Sequence, residues 1–152
     1  MVITFVGHSS VFGDRDVKAL VTEQIERIIS EDESAVCFLG GYGQFDQICA
    51  YACKELKKNH PKVQTVLVTP YITLSEMEKI KEMINEGMYD EVIYPPIENT
   101  PKRFAISKRN EWMIKNADIV IAYVKTSYGG AYKSLQIAKR QKKRIINICD
   151  LI

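Results

Sequence analysis

Ala35-Val36-Cys37-Phe38-Leu39-Gly40-Gly41-Tyr42-Gly43-Gln44-Phe45-Asp46 is the stretch that decides the fold. An apolar run is followed by three glycines in four positions, and an amphipathic pattern then continues from Gln44 to about Lys58. That order reads as strand, tight turn, helix. At such a handover, backbone N–H groups are left unpaired at the positive end of the helix dipole, so the turn suits a phosphate or carboxylate. Asp46 qualifies this, because a carboxylate in the first helical turn already uses part of that positive field. A ribose hydroxyl or an amino group suits it better than a second phosphate.

The rest of the chain repeats the unit. Val2–Val6 is a short apolar run ending in Gly7-His8-Ser9-Ser10, and residues 16–30 carry apolar positions at helical spacing, with Asp14 or Asp16 as cap. Val63–Val68 reads as the third strand, and Ser75-Glu76-Met77-Glu78 as a capping signature ahead of a helix that Gly87 stops. A short strand over Glu91–Tyr94, a helix from Arg103 to Asn116, a buried-type strand over Ile119–Val124, a helix from Ala131 to Arg140 and a strand over Arg144–Cys149 complete it. Six strands alternating with five helices predict an α/β, three-layer Rossmann-like fold: one domain over residues 1–152, with a parallel sheet and helices on both faces. Ligands in such sheets bind beyond the carboxyl ends of the strands. Three loops there are rich in small residues: Gly7 to Ser10, Gly40 to Gly43, and Ser127 to Ala131.

Composition narrows the class. With 152 residues, 46% hydrophobic and 26% charged, the chain is an ordinary globular sequence that buries about 70% of its unfolded surface. No apolar run approaches the roughly 20 residues of a membrane span, and no charged leader precedes Val2, so a cytoplasmic protein without membrane contact is expected. Cysteines at 37, 49, 53 and 149 form no C-x-x-C pair, and only His8 and His60 could assist them. Neither metal nor cofactor is expected. Charge is uneven: through Thr100 there are 9 Lys and Arg against 16 Asp and Glu, and from Pro101 onward 12 against 3. The basic C-terminal third would steer an anionic ligand toward the protein.

The motifs exclude as much as they suggest. Gly41-x-Gly43-x-x-Asp46 is not a dinucleotide fingerprint, because Asp46 replaces the third glycine, and no Walker lysine is present. His8 is a candidate phosphate donor or acid–base group, against the plainer role of a loop histidine satisfied by backbone. Arg109 could fork onto a phosphate or simply be an exposed helical arginine. Tyr42, Tyr94 and Tyr128 lie in or beside the edge loops, where rings can stack on a base.

Taken together, Gly40-Gly41-Tyr42-Gly43-Gln44-Phe45-Asp46, Arg109-Asn110-Glu111-Trp112-Met113 with Ala117-Asp118, and Tyr128-Gly129-Gly130 ahead of Arg144-Ile145-Ile146-Asn147-Ile148 resemble the YpsA branch of the SLOG superfamily. That superfamily also holds the LOG phosphoribohydrolases and the Rossmann-like domain of DprA. Gly7-His8 is similar to the Gly-His-Arg of YpsA proteins, with Ser9 where the arginine would stand. The resemblance implies strand order 3-2-1-4-5-6 and a nucleotide-derived ligand at the carboxyl edge. LOG enzymes cleave an N-glycosidic bond with an arginine and a glutamate in Pro-Gly-Gly-x-Gly-Thr-x-x-Glu. Here Tyr128 replaces the proline, Tyr132 and Lys133 replace Gly-Thr, and Gln136 falls at the glutamate, so the charge that would stabilise an oxocarbenium-like centre is missing.

The expected function is binding of a small nucleotide-like ligand. The contacts are Gly7, His8, Ser9, Gly40, Gly41, Gly43, Asp46, Arg109, Asn110, Tyr128, Gly129 and Gly130. An alternative is a nucleoside-phosphate N-glycosidase or transferase that uses Asp46 in place of the missing glutamate. A second alternative, by analogy with DprA and the basic third, is single-stranded nucleic-acid binding. Similar proteins commonly form homodimers, which leaves a homodimer open here.

Overall fold

Runs of β-branched and apolar residues that have helices to bury them on both sides become parallel strands, and this chain supplies six. The computed structural model describes residues 1–32 and 34–152. In chain order the elements are β1 (Val2–Gly7), α1 (Asp14–Glu31), β2 (Ala35–Leu39), α2 (Gln44–Leu56), β3 (Val63–Val68), α3 (Leu74–Asn85), β4 (Glu91–Ile93), α4 (Ala105–Lys115), β5 (Ile119–Tyr123), α5 (Gly130–Arg140) and β6 (Arg144–Asn147). Short 3-10 turns precede α4 at Lys102–Phe104 and follow β6 at Ile148–Leu151. Every strand pair is parallel.

The α/β Rossmann-like class is as expected, but the strand order is β4-β3-β2-β1-β5-β6 rather than 3-2-1-4-5-6. The chain therefore turns back after β4. Right-handed crossovers carry α1, α2 and α3 outward along one face. The connection over residues 94–101 then lets α4 recross the sheet on the other face, with Met113 and Trp112 packed over Phe38, Val66 and Val68. Among the described residues β4 pairs only with β3, through three residues, and closes that edge.

The strand period of two sorts the core. In β1, Ile3 and Phe5 join the layer under α1 and α2, while Val6 faces α5; in β5, Ile119, Ile121 and Tyr123 take the first side, and Val120 and Ala122 the second. Cys37, Cys49 and Cys53 are buried in the first layer, reduced, as small apolar side chains. Two caps differ from expectation. α1 begins at Asp14, and its cap position is held by Gly13, with a left-handed backbone, rather than by an aspartate. α3 is capped by Thr73, whose side chain accepts from the Glu76 N–H at 3.4 Å, two residues ahead of the cap that Ser75 and Glu78 would have formed. Among the described residues no helix is long and apolar enough to cross a membrane.

Candidate functional site

β1 and β5 are neighbours, yet the chain leaves β1 for one face and β5 for the other. Their loops part at this reversal of strand order and leave a crevice. A hollow of about 200 Å³ lies there, lined by Phe5, Val6, Gly7, Ser9, Tyr42, Gly43, Asp46, Ile106, Arg109, Asn110, Gly130, Ala131 and Ser134.

Two glycine corners meet at it. Gly43 precedes α2 with φ 85° and ψ 166°, and Gly129 precedes α5 with φ 90° and ψ 178°. Both lie in a region open essentially to glycine alone. Each then starts its helix alike, with the Gln47 N–H donating to Gly43 O and the Lys133 N–H to Gly129 O. What surrounds them differs. The first amides of α2 are taken, because Gln44 N–H donates to Ser9 O at 2.9 Å and Phe45 N–H to His8 O at 3.4 Å. The amides of Gly130, Ala131 and Tyr132 at the start of α5 meet no acceptor among the described residues. The positive end of that helix is open.

α4 brings Arg109 to the crevice floor. The residue is 1% exposed, with Nη1 donating to Gly40 O at 2.6 Å and Val68 O at 2.7 Å, and Nε to Asn110 Oδ1 at 2.9 Å. These bonds tie α4 to the ends of β2 and β3. Nη2 has no hydrogen-bond partner among the described residues. The guanidinium also lies 5.6 Å from the Tyr42 ring centre, and it remains cationic although burial pulls its pKa down.

Asp46 faces the same point. A methyl group on Gly40 would come within 2.7 Å of Asp46 Oδ2 and 3.3 Å of Arg109 Nη2, so only a glycine lets the two charges approach. Burial raises the Asp46 pKa to about 6, against the lowering effects of Arg109 and of the Tyr42 N–H, which donates to Oδ2 at 3.2 Å. A carboxyl poised near neutrality beside a cation in a cleft is a common signature of functional sites.

Of the sequence-derived candidates, Gly7, Ser9, Gly43, Asp46, Arg109, Asn110 and Gly130 line this hollow. Gly40 and Gly41 instead border a second hollow, on the other side of Tyr42. His8 stands behind the rim: its Nε2 accepts the Lys125 N–H at 2.9 Å, which braces the β1 loop against the β5 loop. Tyr128 is 74% exposed and stands away from the cavity, and Gln136 does not line it either. Ser134 was missed. Its signal was the spacing of four from Gly130, which places both on one face of α5. Among the described residues no His, Cys, Asp and Glu group could hold a metal.

The YpsA family model, described as the YspA SLOG family, matches residues 12–150. The chain belongs to the YpsA SLOG family. This YpsA-family chain is 27% identical over 135 residues to the uncharacterized SPbeta prophage-derived protein YoqJ of Bacillus subtilis (strain 168), with 76% of each covered. Its fold is similar to that of DNA processing protein A from Helicobacter pylori, a structure described for its single-stranded DNA binding mode, at a TM-score of 0.59 and 19% identity. The likeness covers 95% of this chain but 63% of that one, less than two thirds of its length, and it establishes the shared fold alone.

Proposed function

We propose that the hollow between β1 and β5 binds a phosphate-bearing, nucleotide-derived ligand. The observation that carries this is Arg109, buried to 1% exposure with Nη2 unpartnered among the described residues, in the wall of a cavity onto which the open amino end of α5 also faces. A buried cation and free amides converging on one space are complementary to an anion. At about 200 Å³ the hollow is below the roughly 300 Å³ at which pockets for whole drug-sized ligands begin, so it suits the phosphoribosyl part, with Asp46 and Asn110 facing ribose hydroxyls.

The test is thermal denaturation with ribose 5-phosphate and nucleoside monophosphates. Ligand at 100 times its dissociation constant should add about 2.7 kcal/mol. Gly130→Asp should abolish that gain without unfolding the protein, since a side chain at Gly130 meets nothing within 4 Å and would set a negative charge at the helix start. No stabilisation by any of these ligands at millimolar concentration rejects the proposal.

A second reading is single-stranded nucleic-acid binding along the same edge. Its support is a fringe of exposed rings beside cations, with Phe12 81% and Phe104 47% exposed, Lys125 5.7 Å from the Phe12 ring and Arg103 4.8 Å from the Phe104 ring. Bases stack on such rings while cations meet phosphates. An oligonucleotide affinity that falls steeply with salt supports it, and a titration flat in salt rejects it.

A further inference from the structure

Tyr42 has a cavity on each side. It lines the hollow described above and also a second one of about 200 Å³, bounded by Gly40, Gly41, Leu67, Thr69, Glu76, Lys79, Ile80 and Met83. The Tyr42 hydroxyl donates to Glu76 Oε2 at 3.3 Å, so the ring that borders both hollows is tied to the rim of the second. The two spaces differ in chemistry. The first offers a buried cation and free amides; the second offers an apolar floor of Leu67, Ile80 and Met83 with one carboxylate and one ammonium at its rim.

We propose that the second hollow is the base subsite for a guanine nucleotide whose phosphoribosyl part occupies the first, with Glu76 reading the base beside the Tyr42 ring. This rests on the phosphate-ligand reading of the first hollow and adds to it the identity of the base. A flat heterocycle needs an apolar slot, which the Leu67, Ile80 and Met83 side chains supply. The polar groups then select. The Thr69 hydroxyl is already engaged, donating to Tyr71 O and accepting from Tyr71 N–H, so it does not read a base. Glu76 Oε1 is 3.9 Å from Lys79 Nζ and accepts no hydrogen bond among the described residues, so it is available. A carboxylate only accepts and an ammonium only donates. The base must therefore present donors to Glu76 beside an acceptor for Lys79. Guanine presents N1–H and the 2-amino group together to a carboxylate, with O6 adjacent; adenine offers one donor edge, and hypoxanthine lacks the 2-amino group.

Calorimetric titration of ribose 5-phosphate, GMP, IMP and AMP against the wild type and Glu76→Gln tests this. GMP should bind about tenfold or more tightly than AMP or ribose 5-phosphate, with IMP between, as expected for hydrogen bonds to a charged group. Glu76→Gln should remove the GMP preference and leave ribose 5-phosphate affinity unchanged. If ribose 5-phosphate binds while GMP is no tighter than AMP, or if the preference survives in Glu76→Gln, Glu76 does not read the base and this inference falls alone. If none of the four ligands binds, the phosphate site falls and the base subsite falls with it.

Discussion

Gly43 and Gly129 have nearly the same backbone and begin helices in the same way, yet one corner is closed and the other open. Around the first, the β1 loop lies so near that a methyl group on Gly43 would be 3.1 Å from Ser9 Cα, and the opening amides of α2 are bonded to that loop. Around the second, a methyl group on Gly129 or Gly130 would meet nothing within 4 Å, and the amides of α5 are free. Glycine is thus required twice by backbone geometry but only once by packing. The corner whose glycines no protein atom crowds is the one with room for a ligand.

Substitutions can break this comparison. Gly43→Ala should be the most damaging, at about 3 kcal/mol, because backbone strain adds to crowding against Ser9. Gly129→Ala carries the strain without the crowding and should cost about 2 kcal/mol. Urea denaturation of both gives the difference directly, and equal losses would mean that the β1 loop does not close the first corner.

Asp46 sharpens the same contrast, since its carboxylate belongs to the closed corner. Its folded pKa, about 6, lies above the ordinary carboxylate range. A raised carboxyl pKa means that folding favours the protonated form, so this contribution is complete below about pH 4 and is lost as pH rises through 6. The stability of Asp46→Asn relative to wild type should therefore rise by about 1–2 kcal/mol between pH 4 and 7.5, a range reduced for the partial exposure of the group. Parallel pH curves for the two proteins would remove the raised pKa. The smallest effect is expected at Gly130→Ala, within about 0.5 kcal/mol, because that position is unstrained and opens a helix, where alanine is favourable.

The layers of the fold were legible because each strand-and-helix unit carries its own periodicity. The strand order was not. Whether the chain reverses after β3 or β4 depends on how far α4 recrosses the sheet, and the eight residues between Ile93 and Lys102 give no local sign of it. The site divides in the same way. The glycine corners and Asp46 announce themselves in sequence, whereas the burial of Arg109 depends on carbonyls 69 and 41 residues away. His8 looked like site chemistry for a similar reason, since its acceptor role toward Lys125 spans 117 residues. The Thr73 cap was within reach of a local reading, but Ser75 and Glu78 offered the same pattern two residues on.

Titration of the amide spectrum with ribose 5-phosphate tests most directly whether the open corner holds an anion. The amide signals of Gly130, Ala131 and Tyr132 should move most, saturably and together, while those of Gln44 and Phe45, already bonded within the protein, move little. Unmoved α5 amides, or shifts confined to the groove around Trp112, Lys115 and Arg140 between α4 and α5, would contradict the account.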